Sequence, residues 1–227
     1  MTEHVTRRTS LLRLAGFVGG ALGLGAFEAA RSEAAGPAGV AAGTVKCVLT
    51  PEQTEGPYYI ANERVRRNVT DGRSGTQLNL RLRVVDAATC RPIKGAAVDI
   101  WHADAAGVYS GFGEGAANRT AMRGVQRTDA KGLAIFRTVY PGWYQGRTVH
   151  IHVKVHIGGN VVHTGQLYFP DATTDVAYRK APYSSRPGRD VRNTTDSVFR
   201  NGGKRSLLTV RRSGAGYVGS IVMGVTR

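Results

Sequence analysis

Along QLNLRLRVVD, residues 77–86, apolar and polar positions alternate strictly, with Leu78, Leu80, Leu82 and Val84 on one side. Side chains of a strand point alternately to opposite faces, so this segment reads as a half-buried strand. AAVDIW (96–101) is the next, with Ala97, Asp99 and Trp101 set against Val98, Ile100 and then His102. VQRTDAKGLAIFRTV (125–139) reads as a β-hairpin, two alternating segments joined at Asp129-Ala130-Lys131-Gly132. HIHVKVH (150–156) puts His150, His152 and His156 on one face and Ile151, Val153 and Val155 on the other. A short strand at GQLYF (165–169), a polar stretch over 170–196 and two strands meeting around Ser213-Gly214 complete the pattern. No segment beyond the amino-terminal region keeps a 3.6-residue period for ten residues. The predicted fold is all-β, a β-sandwich of short, mostly antiparallel strands carrying long loops.

The first 35 residues follow a different pattern. Arg7, Arg8 and Arg13 precede or interrupt an apolar stretch from Leu14 to Phe27, and the small residues Ala29, Ala30, Ala34 and Ala35 follow it. This is the layout of an export signal, and Arg7-Arg8 followed by Leu11-Leu12 resembles a twin-arginine one. The apolar run is too short and too glycine-rich for a membrane anchor, which needs about 20 apolar residues. The expected organisation is a signal over 1–35, a flexible linker over 36–47 and a sandwich domain over 48–227. The mature chain is expected outside the cell or in its envelope, exported already folded and without stable membrane insertion.

Composition adjusts this picture in three places. Thirty glycines in 227 residues exceed the usual share of about 7%, and their aperiodic spread suits tight turns. The net charge of +15 favours anionic partners, but the arginines are scattered, with no recognition helix and no interleaved aromatics, so nucleic acid is excluded as a partner. The two cysteines, Cys47 and Cys90, are expected to pair in an oxidising compartment; two buried free thiols are the other reading.

The chemistry concentrates around VYPGWYQGRTVHIHVKVH, residues 139–156, and the long loop DAAGVYSGFG that carries Tyr109. If the sandwich brings that loop and the Tyr144 turn over His150 and His152, two imidazoles and two phenols meet. Phenolate oxygens are hard anionic donors, and Fe(III) is the cation that would keep a tyrosine ionised at neutral pH. Zinc prefers Cys, His or carboxylate sets. Asp99 would complete a ferrous site of two His and a carboxylate, but its strand position turns it to the core side. His156 lies about 13 Å along the strand from His152, too far to share a metal.

The segments TEGPYYI (54–60), DIWHADAAGVYSG (99–111) and FRTVYPGWYQGRTVHIHVKV (136–155) resemble the intradiol ring-cleaving dioxygenases, the family of catechol 1,2-dioxygenase and protocatechuate 3,4-dioxygenase. The resemblance covers about 48–170 and implies a secreted, single-domain branch lacking the amino-terminal helical domain of catechol 1,2-dioxygenases. It implies one Fe(III) per chain held by Tyr109, Tyr144, His150 and His152, with Tyr144 the ligand that leaves as substrate chelates. It implies that Arg147 and Gln166 stabilise developing negative charge, and that Tyr58, Tyr59, Val108, Trp143 and the 111–118 loop wall the pocket. The implied activity is cleavage of a small aromatic diol by O2 between its hydroxyl-bearing carbons, giving a cis,cis-muconate-type diacid, with catechol and hydroxyquinol ahead of protocatechuate.

Two rival readings stay open on the residues alone. One is a secreted β-sandwich module that binds polyphenol or carbohydrate on its aromatics without a catalytic metal. The other is a zinc or copper site using His150, His152 and His156.

Overall fold

The computed structural model describes residues 47–61, 64–112 and 120–227. The expected signal over 1–35, nearly all of the linker, and residues 113–118 of the pocket wall lie outside the described residues. The elements run β1 (Gln77–Asp86), β2 (Ala97–Trp101), β3 (Arg123–Arg127), β4 (Leu133–Val139), β5 (His150–Ile157), β6 (Asn160–Tyr168), α1 (Asp171–Ala177), α2 (Ser197–Arg200), β7 (Thr209–Ser213) and β8 (Gly216–Val225). Single 3-10 turns occupy Tyr183–Ser185 and Gly203–Ser206.

The strands form two four-stranded sheets, ordered β4-β1-β8-β7 and β3-β2-β5-β6. Every pairing within them is antiparallel except β1 with β8. One core lies between the sheets. The leucine stripe of β1 meets Val98 and Ile100 of β2 and Ile151, Val153 and Val155 of β5 there, and each of these side chains is buried. Burying an aliphatic side chain of this size contributes about 1.5–3 kcal/mol. The alternation read from the sequence therefore marks the inter-sheet face correctly in β1 and β5, whereas in β2 the core side is that of Val98 and Ile100 and not, as expected, that of Asp99.

Two features differ from the sequence reading. The fold is α+β rather than all-β: beside the sheets it holds the seven-residue helix α1, the single-turn helix α2 and the two 3-10 turns. All four fall within 171–206, where helices this short cannot display a 3.6-residue period. α1 buries only Thr174 and Ala177, so it leaves almost no apolar stripe to read. The second difference is the expected 125–139 hairpin. The turn exists, because the Asp129 carboxylate accepts from the Lys131 and Leu133 N–H groups at 2.8 and 2.9 Å. Yet β3 pairs with β2 and β4 with β1, so the turn carries the chain from one sheet to the other. The hairpin between β5 and β6 instead turns at Gly158-Gly159, both at positive φ.

Ahead of β1, the arm from Cys47 to Ala61 crosses the molecule. A disulfide joins Cys47 to Cys90. Leu49 bridges to Gly224 of β8, and Gln53 N–H then donates to Thr164 O of β6 at 2.9 Å. From there the arm continues onto the outer face of the second sheet, the face turned away from the core. Among the described residues, no helix is long and apolar enough to cross a membrane.

Candidate functional site

The strand that supplies apolar side chains to the core supplies imidazoles to the opposite face. His150 stands opposite Tyr168 of β6, and His152 stands between Trp101 of β2 and Gln166 of β6. Register alone thus makes a patch of Trp101, His150, His152, Gln166 and Tyr168, all of them buried. The Trp101 and His152 rings lie parallel, 4.9 Å between centroids and 5° between planes.

Two loops and the arm roof this patch. The Tyr109 loop and the Tyr144 loop interlock through two glycines. Gly142 N–H donates to Asp104 O at 2.9 Å, and any Cβ there would strike the backbone of Asp104 and Ala105. Gly107 sits at φ +80°, where an added Cβ would meet the Trp143 carbonyl at 2.2 Å. The close approach sets Tyr109 and Tyr144 edge to face, centroids 5.6 Å apart. Tyr58 of the arm stacks on Tyr109 at 4.3 Å. Buried Arg123 ties both pieces down, donating to Tyr58 O at 2.7 Å and to Ser110 O at 2.9 Å.

The polar atoms converge at the foot of these rings. His150 Nε2 lies 3.1 Å from His152 Nε2 and 3.2 Å from Tyr144 Oη. His150 Nδ1 lies 2.7 Å from Thr148 O, so Nδ1 donates and Nε2 is left as an acceptor with one lone pair. The Tyr144 hydroxyl and the His152 Nε2–H both point to that lone pair. His152 Nδ1 is buried without a partner, and Tyr109 Oη is buried beside Tyr144 without a well-formed hydrogen bond. The cluster thus leaves one hydroxyl and one ring nitrogen unsatisfied.

Burial fixes its protonation. Desolvation first, and then the Arg147 charge, push His150 down to about 3. Desolvation and neighbouring His150 hold His152 well below its ordinary value. Desolvation raises Tyr109 well above 10, with Tyr144 adding to it, and raises Tyr144 as well. At neutral pH two uncharged imidazoles therefore face two uncharged phenols.

Arg147 brings a cation to the foot of these rings. Its Nε donates to Asp196 Oδ2 at 2.9 Å and its Nη2 to Gln166 Oε1 at 2.5 Å. Gln166 is held in turn by Thr54 O at 3.0 Å and Tyr168 Oη at 3.1 Å. Burial opposes the guanidinium charge, but Asp196 outweighs it and keeps the pKa above its ordinary value.

The structure thus brings together Tyr58, Tyr109, Tyr144, Arg147, His150, His152 and Gln166. Tyr59 forms the next layer, its ring 4.8 Å from Trp101 and capped by Lys154 Nζ at 3.7 Å. Val108 is 36% exposed on the loop rim. Trp143 turns away, donating to Arg186 O at 3.0 Å and packing on the main core. His156 follows a β-bulge after Val155 and is half-buried. Asp99 shares the outer face with Trp101 rather than the core, paired in register with Lys154. Sequence reasoning missed Trp101, Arg123 and Asp196. Parity with the histidines across a strand pair was the only signal for Trp101, and it needs a register. The other two lie in segments with no period.

A family model described as Dioxygenase matches residues 54–181. The chain belongs to the intradiol ring-cleavage dioxygenase family. Catechol 1,2-dioxygenase 2 of Acinetobacter lwoffii is 34% identical over 167 residues, 66% of this chain and 57% of that protein. The chain therefore spans little more than half the length of this curated relative. An intradiol ring-cleavage dioxygenase from Tetranychus urticae is 37% identical with a TM-score of 0.76, over 79% of this chain and 95% of that one. The dioxygenase domain of a dioxygenase carbohydrate-binding protein fusion from Streptomyces sp. SirexAA-E is 35% identical with a TM-score of 0.62, over 78% and 98%.

Family membership does not carry the expected cofactor with it. Among the described residues there is no group of three or more His, Cys, Asp or Glu side chains that could hold a metal ion. Among the described residues, His150 and His152 are joined by no third imidazole, carboxylate or thiolate. This overturns the expected Fe(III) centre on Tyr109, Tyr144, His150 and His152, and with it the expected iron-dependent ring cleavage. It equally overturns the zinc or copper reading, because His156 does not join the pair.

Proposed function

We propose that this family member binds small aromatic compounds at the roofed patch, with vicinal diols the guests its groups fit best. The observation that carries this is the set of unmatched buried polar groups beneath stacked rings. Tyr144 O–H and His152 Nε2–H both approach the lone pair of His150 Nε2, while Tyr109 Oη and His152 Nδ1 are buried without a partner. A phenolic oxygen accepting from Tyr109 O–H satisfies one of them, and an unsatisfied buried donor costs about 1–3 kcal/mol. A second hydroxyl on the adjacent carbon lies within reach of the same cluster and can donate to His152 Nδ1. Tyr58 and Trp101 supply flat apolar surface, and Arg147, fixed by Asp196 and Gln166, favours partial negative charge on the guest oxygens. The small aromatics named in the relatives' activities point the same way.

The test is a titration followed by fluorescence, with Trp101 as the reporter stacked on His152. Catechol is expected to bind at least ten-fold more tightly than phenol, and Tyr109→Phe to narrow that gap. Equal affinity for catechol and benzene would overturn the reading. Accumulation of a ring-opened diacid during the titration would overturn it too, by showing that the guest is consumed. We also place the protein outside the cytosol, a reading the Cys47–Cys90 disulfide supports. Fractionation of expressing cells tests it.

A further inference from the structure

The positive charge of this chain is unevenly placed. Residues 179–212 contain ten Lys and Arg against two Asp, more than half of the net +15 of the whole sequence. Within this segment lies a cavity of about 440 Å³ lined by Thr194, Phe199, Arg200, Gly202, Lys204 and Arg205, a volume inside the range of about 300–1,000 Å³ typical of small-molecule sites. We infer that this cavity is a second ligand site, built to take the carboxylate of a small aromatic acid.

Three observations lead to that class of ligand. The floor is apolar and rigid: Phe199 is wedged between Tyr168, at 5.0 Å and 88°, and Gly203, where even a Cβ would strike its ring at 2.6 Å. A ring lying on that floor removes apolar surface from water. The rim is cationic, and two of its charges, Arg200 and Lys204, are not drawn into ion pairs with carboxylates of the described residues. The terminal carbonyls of α2, which a basic side chain often satisfies, are already met by Gln53 Nε2, at 2.8 Å to Val198 O and 3.1 Å to Asn201 O. Asp196, the nearest carboxylate in the sequence, is engaged by Arg147 and the Thr148 and Phe199 N–H groups. Neither Arg200 nor Lys204 has a carboxylate partner among the described residues. Lastly, Gly202 at φ +90° brings backbone rather than a side chain to the cavity wall, where an added Cβ would press on Pro51 at 3.0 Å. An arene supplies the flat apolar body and a carboxylate the charge for the rim.

Titration of the full chain with benzoate, followed by backbone amide shifts, tests this. Saturable shifts are expected at Gly202 and Gly203 while the Gly56 and Gly142 amides of the first site stay still. Benzyl alcohol, with the ring but no charge, is expected to bind at least ten-fold more weakly, and acetate, with the charge but no ring, likewise. The Arg200→Gln/Lys204→Gln variant should weaken benzoate at least five-fold and leave catechol binding unchanged. Acetate matching benzoate, benzoate binding unaltered in the variant, or shifts confined to Gly56 and Gly142 would each overturn the inference.

Discussion

Asp196 grips Arg147 from a helix cap. One carboxylate oxygen accepts from Arg147 Nε at 2.9 Å and from the Thr148 N–H at 2.8 Å, and the other caps α2 through the Phe199 N–H at 2.8 Å. The residue that starts a single turn of helix is therefore the residue that aims the cation of the site. The Arg147 guanidinium and the Asp196 carboxylate lie 49 residues apart in sequence and share no strand.

Asp196→Asn is expected to lower stability by about 3 kcal/mol, since it leaves Arg147 partly buried without its counter-charge. Aromatic binding should fall with it, as Arg147 loses its bearing. Burial opposes the Asp196 charge, but Arg147 and the two N–H groups outweigh it and hold the carboxyl below its ordinary 3.8. Its contribution is thus present above pH 3.8 and is lost as pH falls through the lower folded value. Urea unfolding of both proteins between pH 2.5 and 7 checks the amount and the direction.

His102 sets a second acid limit. It is buried between the sheets, with Nε2 2.8 Å from Thr138 Oγ1 and Nδ1 2.8 Å from Ala103 O, and burial lowers its pKa from 6.5 to about 4. Between those values the unfolded chain binds a proton that the folded chain refuses. Stability should therefore fall with decreasing pH across that window by about 1.4 kcal/mol per pH unit from this residue. In His102→Gln, the slope of unfolding free energy against pH should be shallower by that amount, whatever its stability at pH 7.

Gly107→Ala should displace one loop from the other, because its Cβ would overlap the Trp143 carbonyl and its φ is positive. A loss of about 1–3 kcal/mol with at least ten-fold weaker catechol binding is expected. Thermal melts and the fluorescence titration read the two effects separately.

Tyr58→Ala removes a ring that stacks on Tyr109 at 4.3 Å but belongs to the small cluster outside the main core. Aromatic pairs are worth about 0.5–1.5 kcal/mol, so catechol affinity should drop about three- to ten-fold. The melting temperature should move little. A large fall in melting temperature would show that the arm supports the fold as well as the site.

Reducing the Cys47–Cys90 disulfide should destabilise the protein by about 2–4 kcal/mol. The same treatment of a Cys47→Ser/Cys90→Ser variant should change nothing. Melting curves with and without reductant settle it.

How far the sequence could be read depended on whether a residue's role was local. Leu78, Leu80 and Leu82 declare their face by alternation alone, as do Ile151 and Val153 against His150 and His152. The meeting of Tyr109 with Tyr144 was readable only through the family resemblance, because the glycine contacts that lock the two loops leave no periodic trace. The β3–β4 turn was misread because Asp129 stabilises the same tight turn whether the strands stay paired or part. Trp101 entered the site by register, and Asp196 by a helix too short to have a pattern. The metal expectation came from the donor types, two phenols and two imidazoles, and then from the resemblance; the fold adds no third His, Cys, Asp or Glu to the imidazole pair among the described residues.

The site occupies the outer side of a sheet whose inner side builds the core. Function and folding are thus written on alternate letters of the same strand. A substitution at 150, 152 or 166 edits the message on one side of the page and leaves the other side legible. The scaffold can drift from one guest to another by changes on one side of a strand while the apolar side that builds the core keeps its residues.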